Sequence, residues 1–187
     1  AFQEILRNFA TMKKIYLILL ICCLSLEMMA QTKGFSADTL SNAVFARMQG
    51  KSYPKGCTIK RSDLRYLQVL HYDADGKVHK GELVCNRKIA ADLLDIFQKL
   101  YEAHYPIERM TLVDDYDAND ERSMTANDTS CFCYRVVTGS KHLSKHAQGL
   151  AIDINPLQNP CVKTRKDGST WVQPKAGKKY TNRKNKY

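Results

Sequence analysis

The chain has 187 residues, of which 44% are hydrophobic, and its 29 Lys and Arg side chains against 19 Asp and Glu give a formal net charge of +10. This apolar content excludes a disordered polyelectrolyte, and the length excludes a large multidomain assembly. The positive charge is concentrated at one end, because residues 162–187 carry nine basic side chains and one acidic side chain.

The N-terminal segment has the layout of a signal peptide. Met12 is followed by two lysines, an apolar run over residues 15–26, and a Met-Met-Ala sequence typical of a cleavage site. The apolar run is too short to span a bilayer. We therefore expect an exported protein, periplasmic or extracellular, with no transmembrane segment in the mature chain.

These features divide the chain into three parts. Residues 1–11 precede the credible start methionine, so we expect them to be an upstream translation artefact. Residues 12–30 are the predicted signal peptide. Residues 31–187 have the usual length of one domain and are predicted to form it.

Two segments give clear predictions of secondary structure. Residues 63–71 and 80–86 are rich in strand-forming side chains and flank an Asp-Ala-Asp-Gly turn, which predicts a β-hairpin. Apolar residues then recur at steps of three and four from Ile89 to Tyr101, which predicts an amphipathic helix that ends before Pro106.

The following region predicts shorter elements. Short apolar runs at residues 110–113, 132–137 and 150–154 predict strands, and the acidic residues 114–121 predict a polar loop. Strands and helices are interspersed without regular alternation. The predicted fold class is therefore α+β, with a small mixed or antiparallel sheet and flanking helices.

A histidine and an aspartate in the C-terminal half have the spacing of metal ligands. His146 and Asp153 are separated by Gly149, at which the backbone can turn tightly, and an apolar run surrounds Asp153. Imidazole and carboxylate are ligands that zinc accepts, and a carboxylate among apolar residues needs a cation or a donor. The alternative is an exposed histidine and an aspartate that caps the following turn.

The same segment resembles the S-x-H-x-x-G-x-A-x-D signature of zinc peptidases. That family includes VanX- and VanY-type D-alanyl-D-alanine carboxypeptidases and L-alanyl-D-glutamate endopeptidases. All five fixed positions are present, and they are Ser144, His146, Gly149, Ala151 and Asp153. A looser similarity covers roughly residues 64–160.

The resemblance implies a Hedgehog- and DD-peptidase-like fold and an exported peptidase that acts on peptidoglycan stem peptides. His146 and Asp153 would bind Zn2+. Arg135, with Arg122 as a second candidate, would hold the substrate or the oxyanion, and Ser144 would orient His146. His142 is expected to be exposed.

The sequence also departs from the family. The family adds a later histidine with a carboxylate three residues before it, but no histidine follows His146, and Asp167 is the only carboxylate side chain beyond Asp153. The third zinc ligand and the general base are therefore absent from this chain. We expect a C-terminally truncated peptidase domain that is inactive as written; the alternative is a non-catalytic protein that binds cell wall or an anionic polymer. Nucleic acid is not an expected partner, and the sequence leaves the oligomeric state open.

Overall fold

The computed structural model describes residue 12, residues 33–137 and residues 139–184. The predicted signal peptide lies outside these residues apart from Met12, and so does the segment before it. From Phe35 onward the chain clusters as one compact unit.

A three-stranded antiparallel sheet in the order β1-β2-β3 forms the centre of this unit. Its strands are β1 (Ser36–Thr39), β2 (Leu64–Tyr72) and β3 (Val78–Asn86). The last two strands are the predicted hairpin. In its turn, the Asp73 carboxylate accepts hydrogen bonds from the backbone N–H groups of Asp75 and Lys77, each at 2.9 Å, and this fixes the register.

Within residues 33–137 and 139–184, three α-helices accompany the sheet, namely α1 (Asn42–Met48), α2 (Ala90–Glu102) and α3 (Asp120–Thr125). Helix α2 is the predicted amphipathic helix. It buries Leu93 and Phe97 in the main core with the sheet. The α+β prediction is therefore confirmed.

The edge of β3 that does not pair with β2 forms single backbone hydrogen bonds with three other segments. The N–H of Glu82 donates to Met110 O at 3.0 Å, and the N–H of Asn86 donates to Gly149 O at 2.9 Å. Between them, the N–H of Phe132 donates to Val84 O at 3.0 Å. Three separate loops thus meet at this edge.

The strands predicted at residues 110–113, 132–137 and 150–154 are wrong as regular strands. None of the three segments forms a regular strand, and Val113 already belongs to a 3-10 helix; the pairing in the last two segments is limited to isolated bridges, such as that between Ser130 and Asp153. The physical reason is that each segment meets β3 or a neighbouring loop briefly and then turns away. Apolar composition did not reveal how short their pairing is, and Val136 and Val137 are exposed although they are apolar.

The acidic stretch, predicted as a polar loop, contains two helical turns. A 3-10 helix spans Val113–Tyr116, and α3 begins at Asp120 after Asn119, whose side chain accepts a hydrogen bond from Arg122 N at 3.0 Å. Asp114 is buried, and its carboxylate accepts hydrogen bonds from the N–H and the hydroxyl of Ser52. Local capping therefore outweighs the loop-forming composition.

A separate two-stranded sheet follows the signature segment. Strands β4 (Cys161–Thr164) and β5 (Thr170–Gln173) pair in antiparallel fashion, and a 3-10 helix spans Lys175–Thr181. Residues 161–170 are all exposed. Within the described part of the chain, no helix is long and apolar enough to cross a membrane.

Candidate metal centre

The imidazole of His146 is held between a backbone carbonyl and a carboxylate. His146 begins the 3-10 helix His146–Gln148, and its Nδ1 lies 2.8 Å from the carbonyl oxygen of Cys131. Because a carbonyl only accepts, Nδ1 carries the proton and donates it. The other ring nitrogen, Nε2, faces Oδ2 of Asp153 at 3.3 Å.

Asp153 is fixed through its own backbone. Its N–H donates to Ser130 O at 3.0 Å, and its carbonyl accepts from the N–H of Ser130 at 3.2 Å. The side chain of Asp153 is 41% exposed, whereas that of His146 is 14% exposed. The pair therefore has a mostly buried imidazole and a carboxylate that is more open to solvent.

The two groups shift each other's proton affinity. Burial lowers the pKa of His146, but the hydrogen bond and the charge of Asp153 raise it more, so the net pKa is raised. Burial raises the pKa of Asp153. The hydrogen bond to His146 and the positive charge of His146 lower this pKa by more than burial raises it, so the net pKa is lowered. In the protein without bound metal, these shifts favour an ion pair of imidazolium and carboxylate.

Ser144 stabilises the turn that carries His146. It is buried, and its hydroxyl oxygen accepts a hydrogen bond from the backbone N–H of His146 at 3.2 Å. Its own N–H donates to Arg135 O at 3.0 Å. The side chain thus contacts the backbone of the histidine, as an orienting role requires.

Gly149 is required by both its backbone angle and its surroundings. Its φ is +65°, which L side chains rarely adopt, and an added Cβ would lie 2.7 Å from the backbone nitrogen of Asn86. The amide of Asn86 also donates to Gln148 O at 3.0 Å. The turn after His146 is therefore seated directly on the end of β3.

Arg135 is connected to this site, whereas Arg122 is engaged elsewhere. Nη2 of Arg135 lies 2.8 Å from Oδ2 of Asp120, and the arginine's positive charge lowers the pKa of both His146 and Asp153. The exposed Arg122 pairs with Asp117 at 3.1 Å. His142 is exposed, as expected.

The His146–Asp153 pair fits two corners of a zinc site. Ligand atoms that each lie about 2.0–2.2 Å from a tetrahedral zinc ion are separated by about 3.3–3.6 Å, and the 3.3 Å between Nε2 and Oδ2 lies at the lower end of this range. A ligand histidine also usually donates its other N–H to a carbonyl or carboxylate, as His146 does to Cys131. Among residues 33–137 and 139–184, however, no group of three or more His, Cys, Asp or Glu side chains could hold a metal ion.

Two contributors to the site were missed from the sequence. The carbonyl of Cys131 has no sequence signal, because every residue carries one. The helix that carries Asp120 could have been predicted from the sequence, because Asn119 followed by acidic residues is typical of a helix N-terminus.

The comparisons with known proteins concern this same part of the chain. A family model described as D-alanyl-D-alanine carboxypeptidase matches residues 138–185, about a quarter of the chain. The match contains the whole signature and confirms the resemblance to this family. At the level of the family it supports a peptidase that acts on peptidoglycan peptides. No curated protein and no solved structure matches the chain.

Proposed function

We propose that the chain carries part of the active site of an exported, zinc-dependent peptidase of peptidoglycan stem peptides, a carboxypeptidase or an endopeptidase, with the third zinc ligand and the general base absent from this chain. The observation that carries this proposal is the pairing of His146 Nε2 with Asp153 Oδ2 at 3.3 Å, within the segment matched by the family model. The predicted signal peptide supports a periplasmic or extracellular location.

His146 and Asp153 are the proposed zinc ligands. His146 would bind through Nε2, because Nδ1 is engaged by Cys131 O. Asp153 would bind through a carboxylate oxygen on the solvent side, where a substrate has access. When bound, zinc polarises a peptide carbonyl and lowers the pKa of a coordinated water from about 15.7 toward 7.

Two further side chains have proposed roles in this reaction. Arg135 would bind the substrate carboxylate or the developing oxyanion, since its guanidinium is close enough to affect the pKa values of both ligands. Ser144 would keep the backbone of His146 in place through the 3.2 Å hydrogen bond. It is not proposed as a nucleophile, because no serine-protease motif surrounds it.

The proposal is tested by measuring the binding of the full chain to an acylated peptide that ends in D-Ala-D-Ala and, separately, to an L-Ala-D-Glu peptide. Because this chain lacks the third zinc ligand and the general base, we expect binding without cleavage, and the binding should be lost on chelation and return with zinc. His146→Ala should weaken this zinc-dependent binding by at least about 100-fold, since loss even of an outer partner of a metal ligand costs 10- to 100-fold.

The exposed His142 provides the control, and His142→Ala should bind both peptides as the wild type does. Two results would refute the proposal. One is absence of zinc-dependent binding to either peptide, and the other is binding that neither chelation nor His146→Ala reduces.

A second candidate function is binding to an anionic cell-wall polymer. The observation that favours it is the exposed β4–β5 hairpin, which carries Lys163, Arg165 and Lys166 against Asp167. Such a charge distribution attracts polyanions at long range. Retention on purified cell wall that survives both chelation and His146→Ala would favour this function over the peptidase.

A further inference from the structure

Arg135 and Asp120 form an ion pair that is shielded from solvent more than is usual for a surface pair. Their side chains are 26% and 23% exposed, whereas those of Arg122 and Asp117 are 60% and 65% exposed. Removing an ion pair from water costs free energy that its attraction only partly offsets. The placement of Arg135 and Asp120 therefore calls for an explanation beyond stability.

The backbone ties Arg135 to the candidate metal centre. Arg135 O accepts the N–H of Ser144 at 3.0 Å, and the N–H of Cys133 donates to His146 O at 3.1 Å. The segment that carries the arginine is thus hydrogen-bonded to the turn that carries the histidine. Asp120, in contrast, belongs to a different element, the first turn of α3.

One buried donor of the guanidinium lacks a partner in the described part of the chain. Its Nε is buried and has no hydrogen-bond partner among the described residues. A buried N–H without an acceptor is costly and rare in folded proteins. An oxygen of a bound anion is the acceptor that would satisfy it, because arginine binds carboxylates through parallel N–H groups.

We propose that Asp120 is a positioning residue, which holds Nη2 of Arg135 so that the guanidinium stays in place to bind the terminal carboxylate of a peptide substrate. The inference rests on the proposed peptidase function and deepens it, because it assigns the anion-binding side of the site to a pair of residues. A peptide with a free C-terminal carboxylate is thereby favoured over one with an amide.

The test measures the affinity of the full chain for two probes, an acylated peptide that ends in D-Ala-D-Ala and the same peptide with a C-terminal amide. The wild type should prefer the acid. Asp120→Ala should reduce the acid-to-amide affinity ratio by about 10- to 100-fold, the change expected for one hydrogen bond to a charged group. Asp120→Asn, which keeps an acceptor oxygen, should retain part of the preference.

Asp117→Asn is the matched control, because Asp117 also pairs with arginine and lysine but at an exposed position. It should leave the ratio unchanged. In an Arg135→Gln background, Asp120→Asn should have no further effect on the ratio, since the two residues act as one unit. That cycle keeps the test decisive if Asp120→Ala fails to fold.

Three results would overturn the inference. They are a wild-type protein without preference for the acid, Asp120 variants with an unchanged ratio, and independent effects of the Asp120 and Arg135 substitutions. Zinc uptake is measured in parallel. If zinc binding is normal and the acid-to-amide affinity ratio of the Asp120 variants is unchanged, only the role of Asp120 is refuted. If the wild type binds no zinc, the proposed peptidase function is refuted as well.

Discussion

At the residue scale, the candidate centre depends on which nitrogen of His146 is occupied. The Cys131 carbonyl engages Nδ1 and leaves Nε2 facing Asp153. The two side chains were predictable from the sequence, because a histidine and an aspartate at this spacing are a recognisable signature. The tautomer was not, since it depends on a backbone oxygen fifteen residues earlier in the chain.

Asp128 shows that a strongly shifted carboxylate need not belong to the site. It is fully buried, and its carboxylate accepts hydrogen bonds from Thr111 N at 2.8 Å, Thr111 Oγ1 at 3.0 Å and Ser123 Oγ at 3.0 Å. Burial raises the pKa of Asp128 from 3.8 to about 6, although these hydrogen bonds oppose the rise. Its partners connect loops around the core, so its role is structural.

This shift predicts a pH-dependent effect on stability. Between pH 4 and 6 the folded state retains a proton on Asp128 that the unfolded state has lost, so this residue lowers the free energy of unfolding as the pH rises. Asp128→Asn removes the titration. The unfolding free energy of the variant minus that of the wild type should increase by about 2–3 kcal/mol between pH 4 and 7.

Urea unfolding at several pH values measures this difference. At about pH 3 and lower, the side chain at position 128 is largely neutral in both proteins, folded or unfolded, so that range provides the baseline. A difference that stays constant from pH 4 to 7 would show that Asp128 ionises normally in the folded protein.

At the element scale, the site is a turn placed against the end of a strand. The hairpin and α2 were predicted because each has one sustained hydrophobic period. The loops around the site have none. Their positions depend on single hydrogen bonds to β3, which sequence periodicity does not reveal.

Gly149→Ala tests how the turn is seated on β3. An added Cβ would lie 2.7 Å from Asn86 N and 3.1 Å from the carbonyl carbon of Cys85. Gly76→Ala is the matched control, since Gly76 also has a positive φ, +76°, but has open space around its Cβ position. Both variants incur left-handed backbone strain of about 1–2 kcal/mol.

The overpacking at Gly149 should add about 1–3 kcal/mol of destabilisation. We therefore expect a larger loss of unfolding free energy for Gly149→Ala than for Gly76→Ala in urea titrations, together with weaker zinc binding. Equal losses for the two variants would mean that the turn is not constrained by β3.

At the scale of the whole molecule, the signature and its supports come from different parts of the chain. The family match covers residues 138–185, but the ring of His146 is oriented by Cys131, and its turn is seated on Asn86. Sequence comparison therefore covers the segment that holds His146 and Asp153, while the fold shows what holds this pair in place.

The central claim is that His146 and Asp153 bind one zinc ion together, and calorimetric titration of the full chain with zinc tests it most directly. The wild type and His142→Ala should each bind one zinc ion with the same affinity. His146→Ala and Asp153→Ala should each bind it at least about 100-fold more weakly, because each removes a direct ligand. Absence of zinc binding by the wild type, or binding that both of these substitutions leave unchanged, would contradict the account.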